Sequence, residues 1–273
     1  MHRERVQHPM AIRHLTVAAV RPLAPTMVRV TLTGEDLDGF ASSGPGDHVK
    51  VFFPDPATGV LTAPELTPEG VRRPTDGVII SRDYTPLTFR RETPSGVPEL
   101  DIDFVVHGDE GPASAWAARA KKGDRLAVAG PRGSRLAPTE LMKAVLVADE
   151  SALPALSRWV DLLPTSTEIV AIVEIGDDEL EGYFGALQRE QFTVEWLYRA
   201  HGPGQLEEAV RSLGPIDEHT YVWAAGEAGA LVPVRRYLRR ELGLGKEQMD
   251  VDGYWKRGIT NRDHHEPVDP TDP

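Results

Sequence analysis

The chain of 273 residues contains no cysteine. That absence excludes disulfides, cysteine nucleophiles, thiolate zinc sites and cysteine-held iron–sulfur clusters. Any redox reaction on this chain would pass its electrons through an organic cofactor. Positive charge is also scarce. Thirty Lys and Arg stand against 42 Asp and Glu, a formal net charge of −12. Nucleic-acid binding, which needs a basic field, is therefore disfavoured. No apolar run approaches the roughly 20 residues of a membrane-spanning helix, so no membrane span is expected. Behind Met1-His2-Arg3-Glu4-Arg5 there is no apolar stretch of the kind that makes a secretory signal, and the reading is of a cytoplasmic protein. No two histidines have His-x-x-x-His spacing, and the adjacent His264-His265 lie in a polar tail expected to be disordered from Arg262 onward. A protein-bound metal is not expected, nor is a catalytic triad.

What is present divides into two patterns. Residues 11 to 135 read as short strands and turns. The β-rich runs are Ile12 to Val20, Met27 to Thr33, His48 to Phe53, Leu100 to Val106 and Arg125 to Ala129, with Gly and Pro clusters between them. About six antiparallel strands at this spacing predict a small Greek-key barrel. Pro54 to Gly77, rich in Pro and Thr, reads as a long surface loop. One helix is expected inside the barrel sequence, with Gly111 as cap, Pro112 at the first helical position and Lys121-Lys122 at its end. After Pro138 the pattern becomes near-continuous apolar strands (Ala144 to Ala148, Glu168 to Val173, Thr193 to Leu197, Thr220 to Ala225). Helical segments lie between them, near 152–163, 178–189, 205–213 and 229–242. That alternation predicts a parallel sheet covered on both faces. The expected domains are therefore 1–138 and 139–273.

The stretch Arg82-Asp83-Tyr84-Thr85-Pro86 places a cation, an aromatic ring and a hydroxyl on one strand. A flavin dinucleotide needs such a set: a flat partner for its ring or ribityl chain, a hydrogen-bond donor at the ring edge and a neutraliser for its phosphate. The helix start at Gly111-Pro112-Ala113-Ser114 adds backbone N–H groups and a hydroxyl for the second phosphate. In the second half, ligands are expected beyond the C-terminal ends of the parallel strands. Those ends carry Asp149-Glu150-Ser151, Glu174-Ile175-Gly176, Tyr198-Arg199 and Gly226-Glu227. No Gly-x-Gly-x-x-Gly follows the first strand, so the ordinary dinucleotide fingerprint is absent. Gly226 is a candidate for close approach to a nicotinamide ribose. Glu174 favours a donor with a free ribose hydroxyl, whereas Arg199 offers a partner to a 2′-phosphate. Lys50 and Arg132 are a candidate cationic patch.

Further segments, in order along nearly the whole chain, are Gly46-Asp47-His48-Val49-Lys50, Asp103-Phe104-Val105-Val106-His107-Gly108, Gly111-Pro112-Ala113-Ser114-Ala115-Trp116-Ala117 and Gly130-Pro131-Arg132-Gly133-Ser134. They continue with Ala148-Asp149-Glu150-Ser151-Ala152-Leu153-Pro154-Ala155, Trp223-Ala224-Ala225-Gly226-Glu227 and Gly253-Tyr254-Trp255-Lys256-Arg257-Gly258. With these the chain resembles the siderophore-interacting protein family, FAD-dependent ferric-siderophore reductases of the ferredoxin-reductase-like superfamily. The resemblance implies FAD in the barrel, held by Arg82, Tyr84 and Thr85 and by the second segment His107, Gly111, Ala113 and Ser114. It implies an NADPH or NADH donor, with NADPH favoured, at Asp149, Glu150, Gly226 and Glu227. A further family Arg shortly after Tyr-Thr is displaced here by Leu87-Thr88, so Thr88 or Arg90 is expected in its place. The implied activity is reduction of Fe(III) in an external ferric siderophore. Two alternatives stand beside it. One is a general flavin or ferredoxin-type electron-transfer reductase with an external ferredoxin. The other is a ferric-siderophore carrier without turnover.

Overall fold

The computed structural model describes residues 1–108, 111–187, 189–263 and 266–272. The chain forms two compact units, Arg5–Leu136 and Met1–Glu4 together with Ala137–Pro273.

The first unit is a strongly curled antiparallel sheet. Its strands are β1 (Ile12–Ala24), β2 (Met27–Thr33), β3 (Val49–Phe53), β4 (Ile80–Tyr84), β5 (Thr88–Arg90), β6 (Glu99–Val105) and β7 (Arg125–Ala129). They are hydrogen-bonded in the order β4-β3-β7-β1-β2-β6-β5. The sheet thus has seven strands rather than six. The addition is β5, three residues between Pro86 and a Pro/Gly-rich turn, too short to show a period. Alternation places Leu15, Val17, Val30, Leu32, Val51, Phe53, Leu100, Ile102, Phe104, Leu126 and Val128 in one buried core. On the other face of β6 the acidic residues are matched across strands. Arg29 grips Asp103 through two bonds of 2.7 and 2.8 Å, and Asp101 accepts from Thr31 at 2.7 Å and from Arg90 at 2.6 Å. The stretch 54–77 includes a small exposed hairpin, Glu65–Thr67 with Gly70–Arg72. The barrel helix α1 (Pro112–Ala117) stops short of Lys121.

The second unit is a five-stranded parallel sheet of β8 (Lys143–Asp149), β9 (Glu168–Ile175), β10 (Phe192–Tyr198), β11 (Thr220–Glu227) and β12 (Met249–Trp255), in the order β10-β9-β8-β11-β12. The edge strand β12 escapes sequence reading because Met-Asp-Val-Asp-Gly alternates with acidic residues. Three α-helices, α2 (Leu153–Leu162), α3 (Gln205–Ser212) and α4 (Ala228–Arg236), accompany the strands, and a 3-10 turn, Asp178–Phe184, replaces the helix expected after β9. Tyr221 and Trp223 point to one face of β11 and pack on Trp159 at 5.5 and 5.9 Å. Val222 and Ala224 point to the other, against Leu231 and Val234. Arg3 belongs to this unit. Its guanidinium lies 4.8 Å over Trp159 and donates to Asp250 at 2.8 Å and to the Tyr221 hydroxyl at 3.0 Å.

The tail is not loose in its described parts, contrary to expectation. Arg262 donates to the Gly253 carbonyl at 2.6 Å, and Arg236 donates to the buried Asp269 at 2.6 Å, holding that carboxyl well below its usual pKa. His264 and His265 lie outside the described residues. No helix among the described residues is long and apolar enough to cross a membrane.

Candidate functional site

The two edges of the antiparallel sheet, β4 and β5, are consecutive in the chain. Thr85, Pro86 and Leu87 carry the backbone from one edge to the other, all three buried. The Arg82–Thr85 motif therefore lies along the seam of the barrel. Side chains draw the seam together: the Tyr84 ring sits 4.5 Å from that of Phe104 on β6. Trp116 of α1 packs on Phe104 at 5.6 Å and on Phe53 at 5.5 Å, and Phe53 meets Tyr84 edge-on at 6.2 Å. Each such pair contributes ~0.5–1.5 kcal/mol beyond its buried area. Four aromatic rings thus join the seam strand to the helix start. The two motifs are neighbours in space because Phe53 and Phe104 stand between them.

Within that frame each expected residue has a definite place. Arg82 is half-buried and donates to the Ser81 carbonyl at 2.7 Å. Burial pushes the Tyr84 phenol above its ordinary pKa. Thr85 is buried and Thr88 exposed. Arg90 has its guanidinium bound to both Glu99 and Asp101. Ser114 is engaged within the chain as well. Its hydroxyl accepts from the His107 N–H at 2.9 Å and donates to the Gly108 carbonyl at 2.8 Å, closing the loop before α1. What α1 does offer is its first turn, whose N–H groups at Ala113 and Ser114 have no acceptor within the helix. Gly111 keeps this corner open, since a Cβ there would sit 3.3 Å from the imidazole of His107. A cation, a phenol and first-turn N–H groups around an aromatic frame fit a flavin dinucleotide. Asp109 and Glu110 lie outside the described residues.

Lys50 faces Asp83 across the β3–β4 ladder and binds it at 2.7 Å. Its charge is thus partly neutralised, while Arg132, in the segment after β7, is exposed.

In the parallel unit the strand ends do converge, but mostly on one another. Asp149 closes β8 and is buried. It accepts from Ser151 N at 2.9 Å, Ser151 Oγ at 2.5 Å, Glu227 N at 2.8 Å and Trp255 Nε1 at 2.7 Å. Burial and the neighbouring Glu150 push its pKa up to about 6, while the bonds from Ser151 and Trp255 pull the other way. Gly226 has a φ of +150°, and a Cβ on it would lie 2.7 Å from the Asp149 carboxylate. Within the chain its close approach is to Asp149. Glu227 caps α4, accepting from Ala230 N at 2.6 Å, and also accepts from Arg257 N at 3.1 Å. Glu150 is bound to Arg199. Sequence reading missed Trp255 as the link between the last strand and the first. The Gly253–Gly258 segment signalled that this region matters, but nothing local names its partner.

Comparison with known proteins agrees with this geometry. Residues 16–135 match the siderophore-interacting FAD-binding domain, and residues 141–258 match the siderophore-interacting protein domain. An Escherichia coli protein named NADPH-dependent ferric-chelate reductase is 35% identical over 256 residues, covering 92% of this chain and 96% of its own. The ferric vibriobactin reductase ViuB of Vibrio cholerae is 33% identical over 253 residues, covering 89% of each chain. Among solved structures, a siderophore utilization protein from T. fusca superposes with a TM-score of 0.82 at 39% identity, over 97% of this chain and 100% of that one. The chain belongs to the siderophore-interacting protein family.

Proposed function

We propose that this protein is an FAD-dependent reductase that takes electrons from a nicotinamide donor and reduces ferric siderophores, releasing Fe(II) in the cytoplasm. The observation that carries the reading is the aromatic seam, which sets Arg82, Tyr84 and Thr85 beside the first turn of α1. Relatives named ferric-chelate reductase and ferric vibriobactin reductase support the same chemistry. FAD is assigned to the antiparallel unit and the nicotinamide donor to the parallel unit. Arg82 and the first-turn N–H groups neutralise the pyrophosphate, and Tyr84 and Thr85 border the ring and ribityl chain. Bound FAD supplies two-electron acceptance and one-electron release. The substrate is iron held by hard oxygen ligands, which grip Fe(III) more tightly than Fe(II), so reduction loosens the chelate. Arg132 provides the attraction for an anionic chelate, and Lys50 contributes less because Asp83 holds it. No side-chain acid, base or nucleophile is called for.

The test is spectral. The purified protein loaded with FAD is expected to show flavin absorbance that NADH or NADPH bleaches and a ferric siderophore restores. A protein that binds ferric siderophore but neither takes up FAD nor bleaches would be a carrier, and the proposal would fall.

A further inference from the structure

Arg199 opens the turn after β10. Its Nη1 donates to Glu150 Oε1 at 2.7 Å, its Nη2 to the second oxygen of Glu150, and its Nε to Glu174 Oε2 at 3.3 Å. Glu150 directly follows β8, and Glu174 is the penultimate residue of β9. The clamp therefore ties together the C-terminal ends of three adjacent strands, β8, β9 and β10. Both carboxylate side chains are 12% exposed and the arginine 31%. Gly176 makes room for it, since a Cβ there would lie 3.0 Å from Arg199 Nη1 and 3.5 Å from Glu150 Oε1. The hydrogen bond and charge of Glu150, with the charges of Glu174 and Asp149, hold the guanidinium protonated well beyond its ordinary range.

In dinucleotide-binding sheets of the Rossmann type the corresponding corner reads the adenosine ribose. An acid near the end of the second strand takes the 2′-hydroxyl, and a nearby arginine takes the 2′-phosphate. Here both residue types are present and bonded to each other. One cation between two carboxylates leaves a net negative corner. A ribose 2′-hydroxyl can donate to such a corner. A 2′-phosphate must draw Arg199 off its carboxylates and then sit beside them. We propose that Glu150 and Glu174 compete with the 2′-phosphate of NADPH for Arg199, and that this competition tilts donor choice toward NADH. The proposal rests on the reading of the protein as a nicotinamide-dependent reductase and adds the residues that discriminate between donors.

The experiment compares the full FAD-loaded chain with Glu174→Gln and Glu150→Gln, each also in an Arg199→Ala background. Anaerobic stopped-flow reduction of the flavin gives kcat/KM for NADH and NADPH. Each single Gln variant is expected to raise kcat/KM for NADPH about tenfold, mainly through KM, a change of about 1.4 kcal/mol. The value for NADH should not rise with it, so the NADPH-to-NADH ratio should climb by about tenfold or more, and the gain should vanish without Arg199. In parallel, calorimetric titration with adenosine 2′,5′-bisphosphate and with 5′-AMP should show tighter binding of the bisphosphate alone. Equal changes for both donors, an unchanged donor ratio, or a gain that survives Arg199→Ala overturns the proposal. So does a titration in which neither nucleotide binds any variant. If neither donor bleaches any variant, the reductase reading fails, and the titration still decides the clamp.

Discussion

Gly226→Ala tests whether the parallel unit is organised around Asp149. The added methyl meets two obstacles. The backbone φ of +150° is one that L residues rarely adopt, at a cost of about 1–3 kcal/mol. The methyl would also lie 2.7 Å from Cγ and Oδ2 of Asp149. That carboxylate cannot give way freely, because Ser151, Glu227 and Trp255 hold it through four bonds between 2.5 and 2.9 Å. Losing one such charge-assisted bond costs about 1.5–3 kcal/mol. The substitution should therefore destabilise the unit by about 3–5 kcal/mol. Urea unfolding followed by tryptophan fluorescence reads this, since Trp159 and Trp223 are buried there. Asp149→Ala removes the atoms that the methyl would strike. The double variant should then be at least about 1 kcal/mol more stable than the sum of the single losses implies. A Gly226→Ala variant as stable as wild type but with a weakened KM for the nicotinamide would refute the reasoning and restore the ribose-approach reading. Strict additivity with Asp149→Ala would refute it too.

Arg82→Ala should weaken FAD binding at least about tenfold in a fluorescence titration, as expected for one charge-assisted contact. Arg90→Ala should leave FAD affinity unchanged while destabilising the barrel, because its guanidinium is occupied by Glu99 and Asp101. Trp116→Leu removes two ring contacts with Phe53 and Phe104 and should cost about 1–2 kcal/mol of barrel stability, with faster FAD release on dilution. Asp149 carries a sign that can be checked. Its folded pKa of about 6 lies above the ordinary carboxylate value of about 3.9, so the folded state holds the proton more tightly. Its contribution to stability is full below about pH 4 and is lost as pH rises through 6, by at most about 3 kcal/mol. Relative to Asp149→Asn, the wild type should therefore lose stability across that window. A gap that stays flat or widens in favour of wild type would mean that the four donors outweigh burial.

The FAD-binding character of the first half was legible because its chemistry is local. Arg82 and Tyr84 lie on one strand with Thr85 directly after it, and Pro112 marks a helix start by its missing N–H. The two-part architecture was legible from the change of period near Pro138. Less legible was what each polar residue in the second half is for. Asp149, Glu150, Gly226 and Glu227 were correctly placed at strand ends, yet their partners lie far along the chain. Trp255 reaches back to Asp149, Arg199 to Glu150 and Arg257 to Glu227. Sequence shows that a carboxylate is present and not how many donors saturate it. The same holds for Arg90, whose partners Glu99 and Asp101 on β6 follow the cross-strand register and not the motif. The bonds of Ser114 were illegible for a related reason, since its hydroxyl meets the backbone of the loop that precedes it.

The most direct test of the account is the yield of Fe(II). FAD-loaded protein, reduced anaerobically with just enough nicotinamide to bleach the flavin, is mixed with a ferric siderophore and a chromogenic Fe(II) ligand. The account predicts about two Fe(II) trapped per FAD as the flavin absorbance returns, one for each electron released. Return of the flavin absorbance without trapped Fe(II), or a flavin that stays bleached in the presence of the chelate, would contradict it.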